Sequence, residues 1–281
     1  MTPDSQSLLE EFGAFVEASV GLSFSPTRWN DLRRATEEMA RAEHFQSAGD
    51  CMRSMMGFGA NHATMQTLGR HLSNGETFFF RDAATFSVLR LEILPRLIAA
   101  RRESGVKALR ILSAGCCTGE EAYSLAMLAH DLPGMADWDV RVAGVDFNPA
   151  FLQVAQAGTY GAWSFRGVPE TLRLRHFEPA GDARFAVLPA IRGRVDFRYA
   201  NLAGDDYGIL GDMAPFDLVL CKNVLMYFGA KPWRRAVARM HGLLAADGWL
   251  CVSPIESDRE LYPQYQPIEF EGQVFFRKAD V

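Results

Sequence analysis

The chain has 281 residues, 48% hydrophobic and 11% aromatic, enough for a core and too many for a disordered segment; at roughly 100–200 residues per domain it holds one large domain or two unequal ones. Its 29 basic and 34 acidic side chains leave a net charge of −5, which argues against a nucleic-acid binder that tracks phosphates. No stretch reaches the ~18 uncharged apolar residues of a membrane crossing, and the opening MTPDSQSLLEEF lacks a secretory pattern, so we expect a cytoplasmic protein with no direct membrane insertion.

From Ser7 to about Leu72 apolar residues return at helical spacing: Leu8, Leu9, Phe12, Phe15 and Val16, then Trp29, Leu32, Ala35 and Met39. This predicts an all-helical domain over residues 1–74. Ser25-Pro26 supplies an N-cap and a proline at the first helical position, so a second helix should run from there toward Ala42. Arg33, Arg34 and Arg41 fall on its outer face, which is either a partner surface for an acidic helix or an ordinary solvated face.

After Leu109 short apolar runs alternate with amphipathic stretches. LRILSAG, VRVAGVD, VDFRYANL, FDLVLCKN and GWLCVS read as strands; EEAYSLAMLAHDL, PAFLQVAQAG and a stretch from about Lys231 to Leu244 read as helices. A final strand pair is expected near Ile268 to Arg277. Apolar strands alternating with helices imply an α/β, doubly wound, Rossmann-like parallel sheet over residues 75–281. Ligands on such sheets sit beyond the carboxyl ends of the strands. The five cysteines contain no CxxC and include the vicinal pair Cys116-Cys117, so we read them as reduced thiols and expect no metal site.

The first strand-to-helix loop is Ser113-Ala114-Gly115-Cys116-Cys117-Thr118-Gly119-Glu120. Glycines there let a ligand approach the main chain. The GxxxxGK[ST] pattern is absent, and Glu120 with Glu121 would repel a pyrophosphate while attracting a cationic amine, although acids also simply suit a helix N-terminus. Asp146 ends the second strand, where an acid can accept both ribose hydroxyls of an adenosine or merely cap the next helix. With no GxGxxG fingerprint, the pair of signals points to S-adenosylmethionine rather than NAD.

The stretches 109–127 (LRILSAGCCTGEEAYSLAM), 76–82 (ETFFFRD) and 221–228 (CKNVLMYF), with Asn201-Leu202 and Ser253-Pro254-Ile255-Glu256 in the same order, resemble the CheR family of chemotaxis-receptor glutamate methyltransferases across nearly the whole chain. The resemblance implies a class I S-adenosylmethionine-dependent fold behind a small helical domain. It implies that Thr77 and Arg81 contact the methionine part of the cofactor, Glu120 its amino group and Asp146 its ribose. Asn201 and Leu202 would border the adenine. Gly115, Lys222 and Asn223 complete the implied cofactor set, and Arg81 and Tyr227 are the implied catalytic residues. Gly75 stands where the family has Asn, Lys222 where it has Arg, and Cys117 and Ala122 where Ser and Pro are common. A short β-subdomain is expected at about 177–195; its brevity around Gly181-Asp182 argues against docking of a receptor-tail peptide. GETFFFRD and YGAWSFR resemble the branch whose members often carry tetratricopeptide repeats.

Thr77 and Arg81 share one face if their segment is helical. Two of Phe78, Phe79 and Phe80 should be core, and Trp163 should be buried. Tyr227 and Phe228 either wall the site or pack between strand and helix. Lys222 and Arg81 are the cations placed to steer a carboxylate. The implied activity is γ-glutamyl methyl-ester formation on the cytoplasmic helical domain of a chemoreceptor; a glutamate is already ionised at neutral pH (reference pKa about 4.3), so no general base is required. The position after the fourth strand reads Lys222-Asn223-Val224-Leu225, not the [DN]PP[YF] of base-methylating enzymes. The alternatives are a methyltransferase of another substrate class with the same cofactor, and a non-catalytic signalling scaffold.

Overall fold

The computed structural model describes residues 3–204 and 207–279. It begins with four helices, α1 (Pro3–Val20), α2 (Trp29–Ala42), α3 (Ala48–Phe58) and α4 (His62–Leu72). Leu9, Phe12, Val16 and Val20 bury one stripe of α1 against Leu32 and Met39 of α2, with Cys51, Met52 and Met55 of α3 and Leu68 of α4 closing this core. Ser47 and Asn61 cap α3 and α4. Ser25 does not cap α2: its hydroxyl pairs with Thr27 (2.9 Å), residues Pro26–Arg28 form a single 3₁₀ turn, and the α-helix starts at Trp29.

An extended linker leads to α5 (Ala83–Val88), which continues through a π-helical turn at Leu89–Ile93 into α6 (Leu94–Glu103). Then come β1 (Ala108–Ala114), α7 (Glu120–Asp131), β2 (Asp139–Asp146), α8 (Pro149–Ala157), β3 (Thr159–Tyr160), α9 (Glu170–His176), β4 (Phe177–Pro179), β5 (Phe185–Val187), α10 (Pro189–Arg192), β6 (Val195–Tyr199), β7 (Phe216–Cys221), α11 (Ala230–Leu243), β8 (Leu244–Val252), β9 (Tyr265–Phe270) and β10 (Gln273–Lys278). The large sheet has the order β6-β2-β1-β7-β8-β10-β9, parallel from β6 to β8 and antiparallel at β10 and β9. Strand alternation divides its side chains between two faces. Ile111, Val142, Leu218, Leu220 and Phe275 pack under α5, α6 and α7, while Leu112, Ala143, Val219, Leu250 and Phe276 pack against α11.

The predicted doubly wound sheet is therefore the observed one, and every strand and helix read from the pattern after Leu109 is present. The small sheet has the order β3-β5-β4. Two of its strands fall in the expected 177–195 segment; the third, β3, lies before it, and the short α10 follows β5 within it. No helix among the described residues is long and apolar enough to cross a membrane.

Candidate cofactor and active site

The carboxyl ends of β1, β2, β6 and β7 open on a cavity of about 460 Å³, closed on its far side by α2, α4 and the α1–α2 loop. Of the residues picked from the sequence, Thr77, Arg81, Gly115, Asp146, Asn201, Leu202, Lys222, Asn223 and Tyr227 line it. Glu120 does not.

Gly115 follows β1 with φ +79°, and a Cβ there would come 2.4 Å from Val224 Cγ2, so only glycine lets the loops after β1 and β7 meet. Asp146 is 7% exposed; its Oδ2 accepts from the Cys117 N–H and its Oδ1 from the Asn148 N–H, both at 2.9 Å. Burial pushes its carboxyl up to about 6, against the pull of those two donors. Asp146 thus sits beside the glycine loop as a desolvated acceptor, and Asn148 caps α8.

The two glutamates after Gly119 part company at the start of α7. Glu120 turns into the protein, where Thr118 (2.7 Å) and Ser164 (2.8 Å) donate to its carboxylate. Glu121 turns into the cavity, held by the Ser113 hydroxyl at 2.7 Å. Burial raises both above the ordinary carboxylate range; for Glu121 the Ser113 hydrogen bond and the charges of Lys222 and Arg81 oppose it. The acid that faces the cavity here is Glu121, which the sequence reading named beside Glu120 but did not assign to the cofactor. Two adjacent acids are indistinguishable until the helix phase is fixed.

Residues 73–80 form no helix, so Thr77 and Arg81 reach the cavity from a loop rather than from one helical face. The loop is pinned by the Phe79 N–H to the Ser164 carbonyl (3.0 Å), by the Phe80 N–H to the Ser124 hydroxyl (2.9 Å), and by Arg81 Nη1 on the Glu76 carbonyl. Phe79 is buried and Phe80 packs on the same core, as expected. Phe78 instead lies under the Arg166 guanidinium (3.9 Å), whose other face meets Trp163 (4.0 Å). The expectation that Trp163 is buried fails: it is 70% exposed, its ring covered only by that cation on one side.

Lys222 is not a free cation. Its ammonium, on a side chain 4% exposed, donates to Asp82 Oδ2 and Thr85 Oγ1, each at 2.6 Å. Burial works to raise Asp82, but the hydrogen bond and charge of Lys222 outweigh it and hold the carboxyl below its ordinary value. Arg81 lines the cavity, and Arg28 joins it from the α1–α2 loop, over the Tyr227 ring at 5.3 Å. Tyr227 is a wall of the cavity, while Phe228 lines it and also packs between two cores.

Asn201 lines the cavity but spends its side chain on the chain itself: Nδ2 donates to the Ser19 carbonyl (2.8 Å), and Oδ1 accepts from the Ala203 N–H (3.0 Å). Asn223 adopts φ +58°, and its loop hangs on Glu256. That fully buried carboxylate accepts from the N–H groups of Asn223 (2.9 Å), Val224 (2.8 Å), Met226 (3.0 Å) and Ser253 (3.1 Å) and from the Ser253 hydroxyl.

A glycine-opened main chain, two desolvated acids and a cavity of this volume fit a sulfonium nucleoside carrying an ammonium group. The comparisons agree. The family profile described as "CheR methyltransferase, SAM binding domain" matches residues 75–266. The chain is 32% identical over 274 residues to Chemotaxis protein methyltransferase 1 of Pseudomonas aeruginosa, covering 95% of this chain and 96% of that protein. It is 28% identical to Chemotaxis protein methyltransferase Cher2 of Pseudomonas putida over the same share of each. The Probable biofilm formation methyltransferase WspC of P. aeruginosa is 34% identical over 204 residues, 73% of this chain and 47% of that protein. On this coverage the chain belongs to the CheR family of S-adenosylmethionine-dependent methyltransferases.

Proposed function

We propose that the enzyme methylates glutamate side-chain carboxylates on the cytoplasmic helical domain of a chemoreceptor, giving γ-glutamyl methyl esters, and that it works in the cytoplasm. The observation that carries this reading is the division of the cavity wall. The sheet loops contribute the acids Glu121 and Asp146, while Arg28 and the Tyr227 phenol supply a cation and a hydroxyl suited to an anionic acceptor. When bound, S-adenosylmethionine supplies an electrophilic methyl group on a sulfonium. Glu121 would hold its ammonium, Asp146 its ribose hydroxyls, and Thr77 and Arg81 its carboxylate end, with Asn201 and Leu202 beside the base.

The acceptor carboxylate is ionised without help, so the residues' task is orientation and exclusion of water. His71, the histidine of the cavity lining, is turned to Glu43 at 3.4 Å. The reading divides the chain into a helical unit over 1–74 and a methyltransferase unit over 75–281. On α2, Arg33 is matched by Glu37 (3.2 Å), and Asp31 is shared at 3.9 Å by Arg34 and Arg28; because Arg28 lies over the Tyr227 ring at the cavity, it is the cation we assign to the acceptor. The hairpin joining β4 to β5 spans only residues 180–184, and we assign no tail-peptide docking to it.

The test is incubation with methyl-labelled S-adenosylmethionine and the cytoplasmic fragment of a chemoreceptor. Label released as methanol by mild base, and lost when the acceptor glutamates are changed to Gln, is the expected result. A base-stable methylamine would overturn the glutamate assignment, and no transfer despite micromolar binding of S-adenosylhomocysteine would favour a scaffold.

A further inference from the structure

Asn74 lies exposed in the linker between α4 and α5, at the rim of the cavity. Its Oδ1 accepts from the Glu76 N–H (3.3 Å), which fixes the sense of the amide, and its Nδ2 donates to Tyr227 Oη (3.0 Å). Tyr227 is held at its other ends as well. Its carbonyl accepts from the Ser23 N–H (2.8 Å), its own N–H donates to the Val224 carbonyl (3.1 Å), and Arg28 covers its ring. A phenol oxygen that receives a hydrogen bond keeps its own proton for a different acceptor. Among the described residues no group accepts that proton.

We infer that Asn74 is a positioning residue for Tyr227: by donating to the phenol oxygen it turns the phenol proton into the cavity, where it holds one oxygen of the incoming carboxylate. The other oxygen is then free to face the methyl donor. The proton stays on Tyr227 throughout. This deepens the glutamate reading and rests on it. It also gives Asn74 a task in a chain whose next residue, Gly75, lacks the side chain found there in the family.

Asn74→Asp tests it, because it keeps the shape and replaces the donor by an acceptor. The phenol proton is then drawn to the new carboxylate and away from the cavity. We expect kcat to fall about tenfold and KM for the receptor fragment to rise, with S-adenosylhomocysteine affinity unchanged. Asn74→Ala should lose less. In a Tyr227→Phe background the Asp substitution should do nothing further; an equal loss in both backgrounds, or none in either, overturns the inference. In protein labelled with 13Cζ-tyrosine, the signal that Tyr227→Phe removes should move in Asn74→Asp, and a stationary signal also overturns it. That measurement needs no turnover. Failure of the glutamate reading shows separately, as wild-type enzyme that yields no base-released methanol.

Discussion

Glu120 and Glu121 are identical in chemistry and one peptide apart, yet the start of α7 points one inward and the other into the cavity. Glu121→Gln should weaken S-adenosylhomocysteine binding by roughly 10- to 100-fold, the worth of a charge-assisted hydrogen bond, with little change in Tm. Glu120→Ala strands the Thr118 and Ser164 hydroxyls and should instead lower stability by about 1–3 kcal/mol, read by thermal unfolding. The reverse pattern would return the ligand role to Glu120. Asp146 adds a pH dependence. Its native carboxyl, raised to about 6, binds a proton that the unfolded chain has already released near the ordinary value of 3.8, so free-enzyme stability is lost as pH rises through that window, by at most about 3 kcal/mol. Ligand affinity should run the other way, since ribose hydroxyls need the ionised form. Calorimetric titrations with S-adenosylhomocysteine should show affinity rising with pH below about 6, by at most tenfold per unit, and flattening above it.

The loops after β1 and β7 act as one element because Gly115 and Val224 touch and Glu256 holds the second loop by its backbone. Gly115→Ala would force a Cβ into Val224 at an unfavourable φ. It should lower stability by on the order of 1–3 kcal/mol and abolish measurable S-adenosylhomocysteine binding. A variant that binds normally would mean that the two loops move independently. Glu256→Gln leaves the volume unchanged but removes an anion that five donors converge on, so Tm and binding should fall together. Close approach matters once more on the opposite wall. A Cβ on Gly69 of α4 would lie 2.5 Å from the Phe147 carbonyl, so this glycine lets the helical layer press against the β2–α8 turn.

At the scale of the molecule, the N-terminal helices are a wall of the site and not an appendage to it. The α1–α2 loop is stitched to the loop after β7 by Ser23 N–H to the Tyr227 carbonyl (2.8 Å), Gly229 N–H to the Gly21 carbonyl (3.1 Å) and a Leu22–Phe228 bridge. Asn201 adds its bond to the Ser19 carbonyl from the loop after β6. Asn201→Ala should cost about 1–2 kcal/mol and, by hydrogen exchange, speed opening of residues 17–24 and 227–229 together. Faster exchange confined to residues 201–204 would show that the seam does not open as a unit.

Local pattern alone determined the sheet, its helices and the all-helical character of the opening, because burial imposes periods of about 2 and 3.6 residues whatever the partners are. It also determined most of the cavity lining, since in a doubly wound sheet the strand-end loops converge wherever the strands do. Tertiary packing decided the rest. Which glutamate faces the cavity depends on the phase of α7; whether Lys222 is free depends on Asp82, 140 residues away in sequence; and Trp163 lies in solvent with Arg166 stacked on its ring. The task of Asn74 exists only once the loop after β7 has folded back beside the linker, a contact between residues 153 apart that no spacing within either segment encodes.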